Sequence, residues 1–363
     1  MTKLHTPLCD RLGIRLPLIQ APMAGGPSSP KLVAAVSQVG ALGSFGFAYT
    51  QPESMQRDME AVRARTHLPF NLNLFASAQP GPIEPGVQRG AIDAVAGYYA
   101  ELGLPPPEPA RAPYAPDLEA QLAVAEEVRP PVLTFHLGAM QAERVRRFQA
   151  LGVKVGGGAT CVAEAERLEA LGVDFIIAQG AEAGGHRGTY LRNPYDAMTG
   201  TFALVRLIVR KVRTPVVAAG GIMDGAGIAA ALALGAQAAQ LGTAFIPCPE
   251  SGAPRVHKER ILAAREDETL VTEKFSGKPA RGLANRFMRE MGESNAPQLA
   301  FPAQSALTGK LRTAAAKAGN PDFVAMWAGQ AVALSRSLPA AELVAALEAE
   351  TLECLDRLAA LRR

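Results

Sequence analysis

Ala170-Leu-Gly-Val-Asp-Phe-Ile-Ile-Ala-Gln179 decides the fold. It reads as the last residues of a helix, a glycine that closes the helix in the left-handed conformation, and an apolar strand that starts at once. The same unit recurs at Gln38-Val-Gly-Ala-Leu-Gly43, Ala150-Leu-Gly-Val-Lys-Val155 and Ala233-Leu-Gly-Ala-Gln-Ala238. Working outward from these junctions, short apolar runs lie at 16–20, 41–47, 70–75, 132–137, 153–157, 175–179, 216–219 and 238–242. Most are apolar throughout, as expected of parallel strands covered on both faces. Helical periodicity fills the gaps: Leu32, Val33, Val36 and Val39 share one face, as do Leu204, Val205, Ile208, Val209 and Val212. A repeated helix–glycine–strand unit is a chain of βαβ crossovers. Eight of them in about 245 residues predict an α/β protein, a (β/α)8 TIM barrel. Strand count alone leaves a doubly wound open sheet as the alternative.

Two stretches depart from the repeat. Residues 76–131 form a long, proline-rich connection after the third strand, expected to hold one or two helices and to wall or cover the site. Residues 244–363 read as a helical C-terminal elaboration on the substrate side. Leu343, Leu347, Leu355, Leu358 and Leu361 mark a closing amphipathic helix that begins after Pro339. The expected division is therefore a barrel over 1–243 and an elaboration over 244–363.

Composition narrows the function. With 48% hydrophobic and 20% charged residues and a net charge of +3, the chain has the ordinary balance of a soluble globular protein. No dense Lys/Arg stripe supports nucleic acid or a membrane surface as partner. The four cysteines Cys9, Cys161, Cys248 and Cys354 lie far apart, without zinc spacing, and read as reduced structural thiols; no metal is expected. The N-terminal stretch lacks the apolar core of a signal peptide, so the expected location is the cytoplasm.

The chemistry gathers in the loops after the strands. Pro215-Val-Val-Ala-Ala-Gly-Gly-Ile-Met-Asp-Gly225 is a strand, a Gly-Gly turn and a helix start, and Gln240-Leu-Gly-Thr-Ala-Phe245 follows the eighth strand. Such loops after strands seven and eight are the usual phosphate site of barrel enzymes. Gly225-Ala-Gly-Ile-Ala-Ala230 resembles a dinucleotide fingerprint but lies too late, inside the helix start. Asn71 and Asn73 share one face of the third strand, either to meet a heteroaromatic edge or to form a polar layer with water. After the sixth strand comes Gln179-Gly-Ala-Glu-Ala-Gly-Gly-His-Arg-Gly188. Its glycines keep the loop thin enough to cross a flat ligand, and His186 offers an imidazole for proton exchange near neutral pH. His136 ends the fourth strand, where it could serve pocket or structure. His5, His67 and His257 read as surface or loop residues.

Together these segments, with Gln20-Ala-Pro-Met-Ala-Gly-Gly26, Pro69-Phe-Asn-Leu-Asn-Leu-Phe75, Gly277-Lys-Pro-Ala-Arg-Gly282 and Met326-Trp-Ala-Gly-Gln330, make the chain resemble the class I nitronate monooxygenases. The resemblance implies noncovalent FMN, contacted by Asn71, Gln179, Gly184, Gly221 and Gln240, Leu241, Gly242 and Thr243, with Met23 beside the ring. It places His186 on the catalytic histidine. The implied reaction oxidises an alkyl nitronate, such as propionate 3-nitronate, with O2 to a carbonyl compound and nitrite via a flavin semiquinone. His186 could hold the anion when protonated or remove a proton when neutral. The family's substrate-side tyrosines and lysine have candidates in Tyr114 and Lys310, while Phe301 and Ser305 occupy a segment where tyrosine is expected. Small molecules, in a monomer or homodimer, are the implied partners. The rival reading is an NAD(P)H-dependent quinone or enoyl-thioester reductase of the same flavoprotein superfamily. Chemistry like that of inosinate dehydrogenase needs a cysteine in the loop after the sixth strand, and 179–190 has none.

Overall fold

The computed structural model describes residues 4–77 and 80–361. The first three residues of the N-terminal stretch, and positions 78–79 of the long connection, lie outside them. Among the described residues there are eleven strands: β1 (Leu18–Gln20), β2 (Gly43–Gly46), β3 (Phe70–Phe75), β4 (Val132–His136), β5 (Lys154–Ala159), β6 (Phe175–Gln179), β7 (Gly185–His186), β8 (Val216–Ala219), β9 (Ala238–Leu241), β10 (Thr269–Thr272) and β11 (Ala280–Leu283). Eight of them form one parallel sheet in the order β1-β9-β8-β6-β5-β4-β3-β2. A parallel bridge from Ile19 to Leu42 joins the two ends, and Gln20 N donates to Leu42 O at 2.9 Å. The sheet closes, so the open doubly wound alternative falls and the TIM barrel stands. All eight apolar runs of the sequence became its strands.

Each repeated helix-ending glycine adopts positive φ: 88° at Gly40, 84° at Gly152, 79° at Gly172 and 101° at Gly235. The larger core joins the strand residues that face out of the barrel to the apolar helix faces, with Phe45, Phe135, Phe148 and Leu168 buried. Burial of each such side chain is worth about 1.5–3 kcal/mol.

A second core sits over the C-terminal mouth of the barrel and comes from two parts of the chain. The long connection supplies helix Pro85–Glu101, whose Tyr99 Oη donates to Leu307 O at 2.6 Å. Its other helix, Leu118–Val128, stays on the barrel, where Gln121 Nε2 donates to Phe47 O and Thr50 O. Most of the second core comes from beyond residue 244, including Phe275, Phe287, Leu307 and Phe323. This cap is mainly helical, as expected, but it also contains the antiparallel pair β10–β11, which helical patterning did not reveal. β11 pairs antiparallel with β7, setting Ala280 opposite His186 and Arg281 opposite Gly185. The closing helix, Ala340–Ala360, packs on the barrel, burying Leu343 and Leu347, while Leu358 and Leu361 are exposed. Among the described residues, no helix is long and apolar enough to cross a membrane.

Candidate active site

A cavity of about 470 Å³ opens between the barrel mouth and the cap. Such a volume suits a cofactor or small-molecule site. Of the residues expected to serve a flavin, Met23, Gln179, Gly184, Gly221, Gln240, Gly242 and Thr243 line it, together with His186. Leu241 is buried behind the wall. Asn73 reaches the cavity, whereas Asn71 lies two residues deeper along β3, off the wall. Both Nδ2 groups donate to Thr134 Oγ1 at 2.9 Å, so this part of the polar layer satisfies itself without a ligand at Asn71.

The glycine cradle follows β8. Gly220 and Gly221 hold φ of 121° and 69°, and a Cβ on Gly220 would stand 2.7 Å from Thr201 Oγ1. The amides of Gly221, Ile222 and Met223 meet no acceptor among the described residues. The helix start beyond them is already occupied: Asp224 accepts from Gly227 N at 2.8 Å, and Glu350 of the closing helix accepts from Gly225 N at 3.0 Å. The free donors therefore lie in the turn rather than at the helix terminus. Gly225 owes its small size to packing, since a Cβ would stand 2.3 Å from Glu350 Cβ and from Thr351 N. That accounts for the apparent dinucleotide fingerprint. Beside the cradle, the buried Oε1 of Gln240 lines the cavity and has no hydrogen-bond partner. A buried acceptor left unpaired costs about 1–3 kcal/mol, which a ligand donor would recover.

The 179–188 loop is held from three sides. Gln179 Nε2 donates to His186 O at 3.0 Å, and its Oε1 accepts from Gly188 N at 2.8 Å. Its amide thus clips the loop as well as facing the cavity. His136 Nε2 also donates to His186 O, at 3.2 Å, which fixes the Nε2–H tautomer of His136. Of the two roles open to His136, the structure shows it on the cavity wall. The cap holds the third side through β7–β11. At Gly184 a Cβ would lie 2.6 Å from Ala328 C, so Met326-Trp-Ala-Gly-Gln330 packs directly on the loop. Gly329 N donates to Thr243 Oγ1 at 2.9 Å, tying the same segment to the loop after β9.

His186 is 9% exposed and boxed by Phe301, Trp327 and Phe75, with ring centroids at 5.4, 5.7 and 6.0 Å. Its Nε2 lies 2.9 Å from Ser276 Oγ, and that hydroxyl donates its proton to Lys278 O at 3.0 Å. Nε2 must therefore be the donor, which leaves the lone pair of the neutral ring on Nδ1. Burial pushes the imidazole down to about 3, and His136, Lys278 and Arg312 act in the same direction. The expected titration near neutral pH is corrected: the ring is neutral there. Burial likewise lowers His136 to about 4 and His257 to about 4.

His257 is a second correction. It is buried, lines the cavity, and its Nε2 donates to Trp327 O at 3.1 Å. Lys310 points elsewhere, toward Glu108 at 3.6 Å on an exposed surface, and Tyr114 packs against the cap core. The tyrosine on the cavity wall is Tyr49, after β2, and Ser305 and Arg312 line the wall as well. Sequence patterning missed Tyr49 and Arg312. Tyr49 gave only the weak signal of an aromatic residue just past a barrel strand. Arg312, on a long helix among alanines, gave none.

The family profile for nitronate monooxygenase matches residues 5–350. The nitronate monooxygenase of Pseudomonas aeruginosa is 45% identical over 342 residues, spanning 93% of this chain and 97% of that protein. That of Paraburkholderia phytofirmans is 43% identical over 354 residues, spanning 97% and 96%. Among solved structures, nitroalkane oxidase from Streptomyces ansochromogenes superposes with a TM-score of 0.89 at 41% identity, covering 97% of this chain and 100% of that one. FabK from Thermotoga maritima superposes less closely, with a TM-score of 0.77 at 30% identity and 98% and 99% coverage. Barrel, cavity, histidine loop and relatives agree: the chain belongs to the nitronate monooxygenase family of flavin-dependent oxidoreductases.

Proposed function

We propose that this enzyme oxidises alkyl nitronates with O2 to carbonyl compound and nitrite, using FMN. The observation that carries the reading is His186, a buried neutral imidazole on a thin loop that shares one cavity with a glycine cradle. The cavity fits a flavin mononucleotide in three respects: free amides at 221–223 for one phosphate, an unpaired Gln240 Oε1 for a ligand donor, and apolar Met23 for a ring. A single cradle of free amides, with the fingerprint-like stretch at Gly225 packed under the closing helix, favours FMN over FAD. A bound flavin supplies the acceptor for the nitronate's electrons and passes them to oxygen.

The chain's own residues do the rest. Gln179, His136 and β11 hold the loop so that His186 keeps one position. The aromatic box and the cap exclude water from the imidazole. Neutral at physiological pH, with Nδ1 unprotonated, His186 can remove the α-proton of a neutral nitroalkane; a nitronate arrives without that proton. Of the two roles the sequence left open, a buried ring with its lone pair on Nδ1 supports the base. The reductase reading has the FabK likeness behind it, at lower identity and poorer superposition than the nitroalkane oxidase.

Purified protein should be yellow and release FMN on denaturation. Ethyl nitronate in air should yield nitrite with O2 uptake. His186→Asn should retain FMN and lose roughly 10²–10⁴-fold in turnover of nitroethane, the usual contribution of a positioned base, with a smaller loss on ethyl nitronate. Wild-type protein that ignores nitronates but is rapidly reduced by NADH would establish the reductase instead.

A further inference from the structure

Glu164, in the helix Val162–Ala170 that follows β5, is a carboxylate fully buried behind the cavity wall. Five neutral donors surround it. Oε2 accepts from Thr160 N and Oγ1, both at 2.7 Å, which closes the turn between β5 and the helix. Oε1 accepts from Thr189 Oγ1 at 2.8 Å, Tyr190 N at 2.7 Å and Leu191 N at 3.1 Å. The first pair is ordinary capping of a helix start. The second set is not, because it belongs to the segment that leaves the histidine loop just past Gly188. Burial pushes the carboxyl up, but these donors hold it below the ordinary 4.5, so it is an anion at neutral pH. Only a group that accepts at both oxygens fits such a cage, since a carboxamide would turn its own N–H groups on one set of donors. Two flanking cations feel the charge: Arg187 and Lys278, each lowered by burial, are both drawn back up by Glu164.

We propose that Glu164 is a positioning residue for His186, holding both the loop and the turn of the cap that fixes the imidazole tautomer. The proposal rests on His186 as the base in the reading above. Two chains of contacts run from the carboxylate to the ring. Along the barrel, Thr189, Tyr190 and Leu191 anchor the far end of the loop, and Gly188 N and His186 O both bond to the Gln179 amide. Across to the cap, Thr189 gives its hydroxyl proton to Glu164, while its carbonyl accepts from Lys278 Nζ at 3.3 Å. The Lys278 carbonyl in turn takes the proton of Ser276 Oγ at 3.0 Å, and that obliges His186 Nε2 to donate. Arg187 N ties the same turn by donating to Pro279 O at 2.8 Å. Were Thr189 to drift, the ammonium would lose its acceptor and the turn its hold. Ser276 would then be free to donate to Nε2, which moves the ring proton to Nδ1 and removes the lone pair a base needs.

The test follows His186 by nitrogen NMR of holoenzyme with isotope-labelled histidine at neutral pH, its signals identified by their absence from His186→Asn. Wild type should show the Nε2–H tautomer alone, and Glu164→Gln a mixture with Nδ1–H. Circular dichroism and flavin content establish folding and cofactor retention. In turnover, Glu164→Gln should lower kcat for nitroethane about 10- to 100-fold, the scale of a slightly misplaced catalytic group. KM should change little, and ethyl nitronate should lose a few-fold at most. In the His186→Asn background the same change should cost nothing further, because no imidazole is left to place. Glu164→Asp, which keeps the charge on a shorter arm, should fall between. Thr189→Val removes one donor without touching the carboxylate and should shift the tautomer the same way; it takes the place of Glu164→Gln if that variant does not fold. A folded Glu164→Gln with the wild-type tautomer would overturn the proposal. So would equal losses on both substrates that persist in the His186→Asn background, the mark of a purely structural carboxylate. A wild type inert toward both substrates would instead sink the functional reading, and the tautomer comparison, which needs no turnover, would still uphold or overturn the link from Glu164 to His186.

Discussion

Acid should unfold this protein earlier than its carboxylates alone would, because three histidines are held neutral around the cavity. Burial lowers His186 to about 3 and His136 and His257 to about 4, against an ordinary value of 6.5. The unfolded chain therefore binds protons between about pH 6.5 and 4 that the folded chain refuses, and stability falls as pH falls through that window. At about pH 5 each histidine removes about 2 kcal/mol relative to neutral pH, or about 6 kcal/mol together. That rivals the whole stability of many proteins, about 5–15 kcal/mol. The carboxylates contribute lower down. For Glu164, burial pushes upward, but hydrogen bonds from Tyr190 and Thr160 hold its pKa below the ordinary 4.5, so its contribution is lost only below that value. Urea unfolding followed by circular dichroism at about pH 7 and pH 5 should show the loss. His257→Gln should recover about a third of it, keeping a donor for Trp327 O without the titration. Comparing variant with wild type cancels common contributions, the flavin phosphate included. If His257→Gln loses as much stability as wild type over this window, the proton-linkage reasoning is wrong.

Two substitutions test the cavity rim. Gly221→Asp should set a carboxylate and a Cβ where the free amides receive an anion, in a turn already at positive φ, and FMN should be lost. Full flavin occupancy in the folded variant, measured by absorbance, would place the phosphate elsewhere. Gly184→Ala should press a methyl into the Ala328–Gly329 backbone, costing roughly 1–3 kcal/mol as overpacking does, with weaker flavin binding; an unchanged melting temperature and flavin Kd would count against that contact.

The barrel was legible because parallel strands buried on both faces must be apolar throughout, and because four of the helices close on a left-handed glycine just before the next strand. Placement in depth was harder to read. Period two puts Asn71 and Asn73 on one face, but only the start of β3 decides which of them reaches the mouth. The cap hid more. β10 is four residues long, β11 carries Arg281, and β7 is only two residues long, so their signals drown among glycine, lysine and proline. His257 sits on a short helix of charged residues and reads as surface, because nothing local records that the cap folds over it. The same holds for Arg312, whose place on the cavity wall depends on how the cap folds and not on its neighbours in sequence.

The pairing of β7 with β11 also sets an order of assembly. Ala280 lies 94 residues beyond the His186 it pairs with, and Gly329, which closes over Gly184, comes later still. During synthesis the eight barrel strands emerge first, yet the histidine loop has no third side until the cap has been made and docked. The helix that occupies Gly225 N follows later again. Flavin capture should therefore be a late event in biogenesis, following synthesis of the cap and of the helix that packs on Gly225. A product truncated before β11 should be able to build a barrel and still be colourless.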